Sequence, residues 1–215
     1  QRCSALRLLC VEEPIADDLL TRLAGALAQL RVGDPADYAA DVGPLIDAAA
    51  ATRVQAHLER LHAHHHARRL AIAPLAADAE GHFVAPQVWE IPDADCLTEE
   101  VFGPVLHVVR YRAAELHALL EKLGRRADIL TLGVHTRVRA LAEAVWQAVP
   151  AGNVYVNRDM IGAVVETQPF GGHGLCGTGP KAGGPLYLTR LVQERTRATN
   201  TAAAGGNASL YARED

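Results

Sequence analysis

Apolar residues fall along the chain in two patterns, short continuous runs and longer stretches with helical spacing. The first run, Ala5–Val11, is apolar except for Arg7, which favours a buried strand. Pro14 suits the first turn of a helix, and Gly33–Pro35 ends the pattern that follows it. Between them apolar residues recur at intervals of four and three, which predicts one inward face: Ile15, Leu19, Leu23, Leu27 and Leu30.

The same alternation of strands and helices continues through the middle of the chain. A second helix is predicted to begin near Asp47, with Val54, Leu58 and Leu61 on one face, and to end in the basic, histidine-rich stretch His62–Arg69. Further strands are predicted at Leu70–Ala73, Phe83–Ile91, Val105–Tyr111, Leu130–His135 and Val154–Asn157, and helices at Ala114–Arg126 and Val138–Val149. Since Pro86 lacks an N–H, we place its strand at a sheet edge. The order indicates an α/β fold with a mostly parallel sheet covered by helices.

Composition narrows the class of protein. With 215 residues, 49% hydrophobic and 21% charged, the chain can bury a sizeable core. Its net charge of −4 and the lack of a basic run argue against nucleic-acid contact. We find no apolar stretch of about 20 residues, so we expect no membrane span. The four cysteines lack the paired spacing of a metal site, so we expect no bound metal. They also lack the density of a secreted disulfide scaffold, so we expect reduced thiols and a cytoplasmic location.

Two segments carry candidate chemistry in the first half of the chain. Cys3 precedes a predicted strand and lies beside Arg2, whose charge favours the thiolate form of a nucleophile. The alternative for a lone cysteine is a small buried apolar residue. In the segment 98–104, Glu100 can bind a ribose diol and Phe102 can pack on a flat cofactor. An acidic loop with one core phenylalanine is the alternative there.

Two more segments follow in the second half. The strand Gly152–Arg158 leads to Gly162 and Ala163, whose backbone N–H groups can hold an anion. Phe170 lies in the sequence Gln168–Gly172, for which a tight turn is the alternative. Glycines are then frequent up to Pro185, which predicts a long loop with close backbone approaches.

Taken in order, QRCSA, EEVFGPV, GNVYVNR and QPFGG resemble the catalytic half of the aldehyde dehydrogenase superfamily. TLGVHTR, GTGPKAGGPLY and NTAAAGGNASL narrow the resemblance to the dehydrogenase module of bacterial proline utilization A. The resemblance spans nearly the whole chain. It implies an aldehyde dehydrogenase-like catalytic domain at 1–195 and a C-terminal tail at 196–215.

The resemblance also implies a reaction and roles for residues. The module oxidises L-glutamate γ-semialdehyde to L-glutamate with NAD in proline catabolism. Cys3 corresponds to the catalytic nucleophile, Glu100 to the glutamate that holds the nicotinamide ribose, and Phe102 to the ring beside the nicotinamide. The substrate, an aldehyde with a carboxylate, would meet these residues: Arg2, Ser4, Gly162, Ala163 and Phe170.

The family places a dinucleotide-binding domain before the nucleophile, together with a glutamate that activates water and an asparagine of the oxyanion hole. These 215 residues contain no match to that domain, so we expect them to be inactive alone and to need it as a partner. We expect the parent enzyme to form a homo-oligomer, and FAD to be involved only if the parent also carries proline dehydrogenase.

Two other functions remain open from the sequence. One is a non-catalytic, dehydrogenase-like assembly module, which an unreactive Cys3 in a stable oligomer would favour. The other is metal binding by the cluster His62, His64, His65 and His66, although only the first and last share helical i, i+4 spacing. A solvated helix end is the simpler interpretation of the cluster.

Overall fold

The computed structural model describes residues 2–64, 66–76, 80–161, 163–164 and 166–200. Strands and helices alternate through most of this range, as the sequence predicted. In chain order the elements are β1 (Leu8–Glu12), α1 (Glu13–Leu27), α2 (Ala48–Ala63), β2 (Arg68–Ile72), β3 (Gln87–Glu90), β4 (Val105–Tyr111), α3 (Leu116–Gly124), β5 (Thr131–Val134), α4 (Arg139–Ala148) and β6 (Asn153–Val156).

Six strands form two sheets. The larger has the order β1-β4-β3-β2, in which β1 and β3 run parallel to β4 and β2 runs antiparallel to β3. The smaller pairs β5 and β6 in parallel. The prediction that Pro86 marks a sheet edge is wrong, because β3 begins at Gln87, directly after the proline, and lies inside the sheet.

Helices α1 and α2 cover opposite faces of the larger sheet. Val105 and Val109 of β4 pack with α2, whereas Val108, which points the other way, packs with α1. The inward face predicted for α2 is confirmed, since its three apolar residues are buried. Helix α2 begins where Asp47 accepts a hydrogen bond from the Ala50 N–H at 2.7 Å.

The inward face predicted for α1 is confirmed in its second half and wrong in its first. Leu27 is buried, and Leu23 and Leu30 pack against the same cluster. In the first turns Ile15 is 58% exposed and Leu19 is also exposed, and the adjacent Ala16 and Leu20 are buried instead. Ala16 is fully buried because its small side chain lets the helix lie close to the sheet.

A third cluster joins the two sheets. Helices α3 and α4 pack on β5 and β6, and Leu8 and Cys10 of β1 reach the same cluster. After β6 the chain is largely irregular, with a short 3-10 turn at Gly174–Cys176, as the glycine content predicted. The tail predicted at 196–215 lies mostly outside the described residues. Within the described part, no helix combines the length and the apolar character that crossing a bilayer requires.

Candidate active site

Parallel pairing brings two of the sequence-predicted segments to one edge of the larger sheet. Leu8 of β1 is in register with His107 of β4, and the His107 N–H donates to the Arg7 carbonyl at 3.0 Å. Since the strands run in the same direction, the residues that precede them lie at the same edge. The turn that carries Cys3 precedes β1, and the loop 98–104 precedes β4. We call loop 98–104 the acidic loop.

Cys3 lies in an exposed turn. The Ala5 N–H donates to the Arg2 carbonyl at 3.1 Å, which closes the turn. Cys3 and Arg2 are exposed, whereas Ser4 is 3% exposed. The thiol therefore faces outward from a turn whose next residue is fixed by burial.

Two of the other three cysteines have a raised thiol pKa, and the third lies outside the turn that carries Cys3. Burial raises the pKa of the Cys10 thiol to about 11, which suppresses its thiolate. Burial also raises the pKa of Cys176, and the carboxylates of Asp128 and Glu100 add to that shift. Cys96 is exposed, at the end of a 3-10 turn before the acidic loop. Cys3 and Cys96 are thus the two exposed thiols of the described chain.

The acidic loop presents a carboxylate and a ring to solvent. The Glu100 side chain is 55% exposed and Phe102 is 44% exposed. The loop that carries both side chains is fixed at Gly103, which is buried against Val54 of α2. A Cβ at Gly103 would lie 2.5 Å from Val54 Cγ2, so only glycine fits at this point. These two side chains can meet a diol and a flat ring, respectively.

Arg7 contacts the acidic loop at three points. Its Nη1 donates to the Gly103 carbonyl at 2.8 Å, its Nε lies 3.9 Å from Glu100 Oε1, and its Cζ lies 4.6 Å from the centre of the Phe102 ring. The Arg7 carbonyl also accepts from His107 Nδ1 at 3.0 Å. Sequence reasoning missed this role, although the one charge in an otherwise apolar run was a signal.

A buried histidine pair supports Arg7. Because a carbonyl only accepts, His107 Nδ1 carries the proton, so its Nε2 accepts from His57 Nε2 at 2.8 Å. Burial lowers the pKa of His107 to about 4, although its bond to the Arg7 carbonyl opposes the shift. Burial, followed by the charge of Arg60, also lowers the pKa of His57. Both rings are therefore neutral at pH 7. No spacing in the sequence marks this pair.

The second region of interest follows β6 and is held both by close backbone contacts and by the side chains of Asn153 and Lys181, which bond to each other at 2.9 Å. Asn153 Nδ2 donates to the Gly171 carbonyl at 3.1 Å, and Phe170 forms two backbone hydrogen bonds of 3.1 Å with Ala182. A Cβ at Gly152 would lie 2.8 Å from the Gly171 oxygen, and one at Gly177 would lie 2.2 Å from the Gly172 oxygen. We call residues 171–184 the glycine segment.

The candidate substrate-binding residues of the loop 158–170 are only partly described. Gly162 lies outside the described residues, whereas Ala163 and Phe170 are half-buried. Glu166 has a positive φ of 66°, a conformation that favours glycine. The glycine segment is linked to the residue before the acidic loop through 126–127, because the Leu175 N–H donates to the Ala127 carbonyl at 2.9 Å and Arg126 Nη1 donates to the Leu97 carbonyl at 3.0 Å.

One histidine at the end of α2 packs against an aromatic ring. The ring of His62 lies edge-on to Trp89, with centroids 4.7 Å apart. His65 lies outside the described residues. In the part of the chain that the structure describes, no three His, Cys, Asp or Glu side chains group as a metal site.

Comparison with known proteins places the chain in a family. The model of the aldehyde dehydrogenase family matches residues 1–196. Over 199 residues the chain is 49% identical to the bifunctional protein PutA of Klebsiella aerogenes, covering 91% of this chain and 15% of that protein. It therefore spans a small part of the length of this relative.

Solved structures agree with the sequence comparison. A crystal structure of a proline utilization A (PutA) variant from Bradyrhizobium japonicum is 54% identical, with a TM-score of 0.85, over 95% of this chain and 21% of that one. The Δ-pyrroline-5-carboxylate dehydrogenase of Mycobacterium tuberculosis, bound with NAD, is 30% identical, with a TM-score of 0.77, over 93% and 38% of the two chains. The chain belongs to the aldehyde dehydrogenase family.

Proposed function

We propose that this chain supplies the nucleophile and part of the cofactor site of an enzyme that oxidises L-glutamate γ-semialdehyde to L-glutamate with NAD. The observation that carries the proposal is the parallel pairing of β1 and β4, which sets Cys3 and the acidic loop at one sheet edge. Relatives named PutA and Δ-pyrroline-5-carboxylate dehydrogenase support the substrate.

Cys3 performs the covalent step in this proposal. Its thiolate adds to the aldehyde carbonyl carbon, a C–S bond forms, and the oxygen becomes an oxyanion that the Cys3 backbone N–H stabilises. Bound NAD, held by Glu100 and Phe102, would supply the hydride acceptor, and loss of hydride from this carbon would leave a thioester on Cys3. Water then breaks the C–S bond, which releases the carboxylate product and restores the thiol.

The acidic loop fits a nicotinamide riboside. Glu100 keeps more than half of its side chain exposed, and its contact with Arg7 at 3.9 Å is longer than a hydrogen bond. Its oxygens can therefore accept from a ribose diol. Phe102 exposes part of its ring beside this carboxylate. These two residues would hold and orient the cofactor.

The far carboxylate of the substrate is assigned to the loop after β6. Backbone N–H groups of Gly162 and Ala163 would bind it, and Phe170 would pack against the aliphatic middle of the substrate. Ser4 would reach it from a buried position, and Arg2 would raise the local positive potential. Catalysis also needs a dinucleotide-binding domain, so we propose that the 215 residues alone form no NADH.

Cysteine substitution tests the nucleophile. In a form of the protein that carries a dinucleotide-binding domain, Cys3→Ala should lower NADH formation from pyrroline-5-carboxylate by at least about 10³-fold. Cys96→Ala is the matched control, because Cys96 is also an exposed thiol, and it should keep wild-type activity. Retained activity in Cys3→Ala would reject the proposal. An inactive Cys96→Ala enzyme would show that the assay reports folding instead.

A further inference from the structure

Arg7 is a cation in an unfavourable place for stability alone. Its side chain is 23% exposed, and burial lowers its pKa while Glu100 opposes the shift. The buried Nη2 has no hydrogen-bond partner among the described residues. An unpaired buried donor destabilises the folded state, and an apolar residue of similar size would avoid that loss.

All three side-chain contacts of Arg7 are with the acidic loop. One contact is with a backbone carbonyl, one with the carboxylate of Glu100 and one with the ring of Phe102. A guanidinium is planar and carries five donors, so it can stack on the ring while its edge bonds the carbonyl. One side chain therefore contacts the carboxylate, the ring and the backbone of the acidic loop.

The main chain of Arg7 is fixed from the opposite side. Its carbonyl accepts two hydrogen bonds from His107, the N–H and Nδ1, and His107 in turn accepts from His57 of α2. The guanidinium thus extends from a backbone that is anchored to both the sheet and a helix. It also follows Cys3 closely in the chain, within about 15 Å even if extended.

The neighbouring acidic residue provides a contrast. Glu99 pairs with Arg60 at 2.7 Å, and both side chains are more than half exposed. Exposed ion pairs contribute little to stability because water screens them. Among the described residues, the acidic loop thus contacts two arginines. The backbone of Arg7 is held by His107, whereas the ion pair of Arg60 is exposed to water.

We infer that Arg7 is the positioning residue that holds Glu100 and Phe102 in the geometry that binds the nicotinamide riboside of NAD. The inference rests on the proposed function, since the ligand of Glu100 and Phe102 comes from it. It adds a link between the nucleophile segment and the cofactor segment: the residue directly before β1 orders the loop that precedes β4.

The test compares Arg7→Met, Arg7→Lys and Arg60→Met in the enzyme that carries its dinucleotide-binding domain. Arg7→Met should raise the Kd and KM for NAD about tenfold, since it removes a charge-assisted hydrogen bond, and should speed amide exchange in residues 98–104. Arg7→Lys keeps the charge and should recover part of the affinity. Arg60→Met should leave the Kd and the exchange unchanged. Cys3 alkylation by iodoacetamide should stay within twofold in every variant.

Other outcomes overturn the inference. Exchange at 98–104 that stays at the wild-type rate in Arg7→Met shows that the residue does not order the loop. Equal losses in Arg7→Met and Arg60→Met show that any positive charge suffices. If Arg7→Met does not fold, wild-type exchange and affinity in Arg7→Lys overturn the positioning role. Failure of the proposed function appears separately, as NAD binding that Glu100→Gln leaves unchanged.

Discussion

The acidic loop and the glycine segment are held in place by different means. Side chains fix the acidic loop: Arg7 donates to the Gly103 carbonyl, and Val54 packs against Gly103. Close backbone approaches constrain the glycine segment, where Gly172 and Gly177 leave no room for a Cβ, and the side chains of Asn153 and Lys181 add hydrogen bonds. A side chain can be shortened or can rotate, whereas a carbonyl in a turn moves only if the chain moves. Substitutions in the first region should therefore be graded and rescuable, and those in the second should not.

The largest effect is expected at Gly177. In Gly177→Ala the new Cβ would meet the Gly172 oxygen at 2.2 Å, so the turn must open, at a cost of at least about 3 kcal/mol. Urea denaturation of the chain measures it. Gly25→Ala is the control, because nothing lies within 4 Å of that helical position, and it should stabilise the protein by about 0.5–1 kcal/mol. Equal stabilities would contradict the account of the glycine segment.

Gly103→Ala should have a smaller effect that a second change relieves. Its Cβ would meet Val54 Cγ2 at 2.5 Å, a side-chain atom, and the expected loss is about 2–3 kcal/mol. In the double variant with Val54→Ala the loss should be less than the sum of the two single losses. A double-mutant cycle measures this coupling. Strict additivity would mean that the clash is not the cause.

The histidine pair beneath Arg7 should make stability depend on pH. His107 has a folded pKa of about 4, so the unfolded chain, with a pKa near 6.5, binds a proton that the folded chain does not. Stability should therefore fall as the pH drops from 6.5 towards 4, by about 2 kcal/mol between pH 7 and pH 5.

Two variants separate this effect from general acid sensitivity. In His107→Phe the loss between pH 7 and pH 5 should be about 2 kcal/mol smaller than in the wild type. In His117→Gln it should be unchanged, because His117 is exposed on α3. The same loss in all three proteins, measured by urea denaturation at both pH values, would mean that the buried pair is not responsible.

The smallest change in stability is expected at two residues that share a positive φ. Glu166 and Asn157 both have positive φ, 66° and 56°. Glu166→Gly should stabilise the protein by about 1 kcal/mol, since glycine removes the strain. Asn157→Gly should destabilise it, because the Asn157 side chain bonds the Thr136 N–H and carbonyl at 2.9 and 2.8 Å. Thermal unfolding checks both signs, and equal signs would contradict this contrast.

Sequence patterns predicted where helices and strands lie better than they predicted which residues of those elements pack against the rest of the chain. The limits of β4 were predicted to the residue, because seven apolar or alternating positions lie between a Gly-Pro turn and a polar stretch. The first turns of the inward face of α1 were not, since Ala16 packs there instead of Ile15, and that contact depends on strands far along the chain. Pro86 was placed in a strand that in fact begins after it.

The candidate site divides in the same way. Cys3, Glu100 and Phe102 were predicted as site residues because several short motifs, taken in order, resemble one family, whereas each motif alone also fits a structural role. The contacts of Arg7 with Gly103 and of His57 with His107 join residues distant in the chain, and no spacing encodes them. The Arg7 contact follows from the parallel register of β1 and β4, and the histidine contact follows from the packing of α2 on β4.

Acid quenching during turnover tests the central claim most directly, that Cys3 attacks the aldehyde beside the acidic loop. The enzyme, with its dinucleotide-binding domain, is mixed with pyrroline-5-carboxylate and NAD, quenched and digested, and its cysteine peptides are weighed by mass spectrometry. We predict an acyl thioester on the Cys3 peptide and none on the Cys96 peptide. An acyl group on another cysteine, or turnover with Cys3 unmodified at every quench time, would contradict the account.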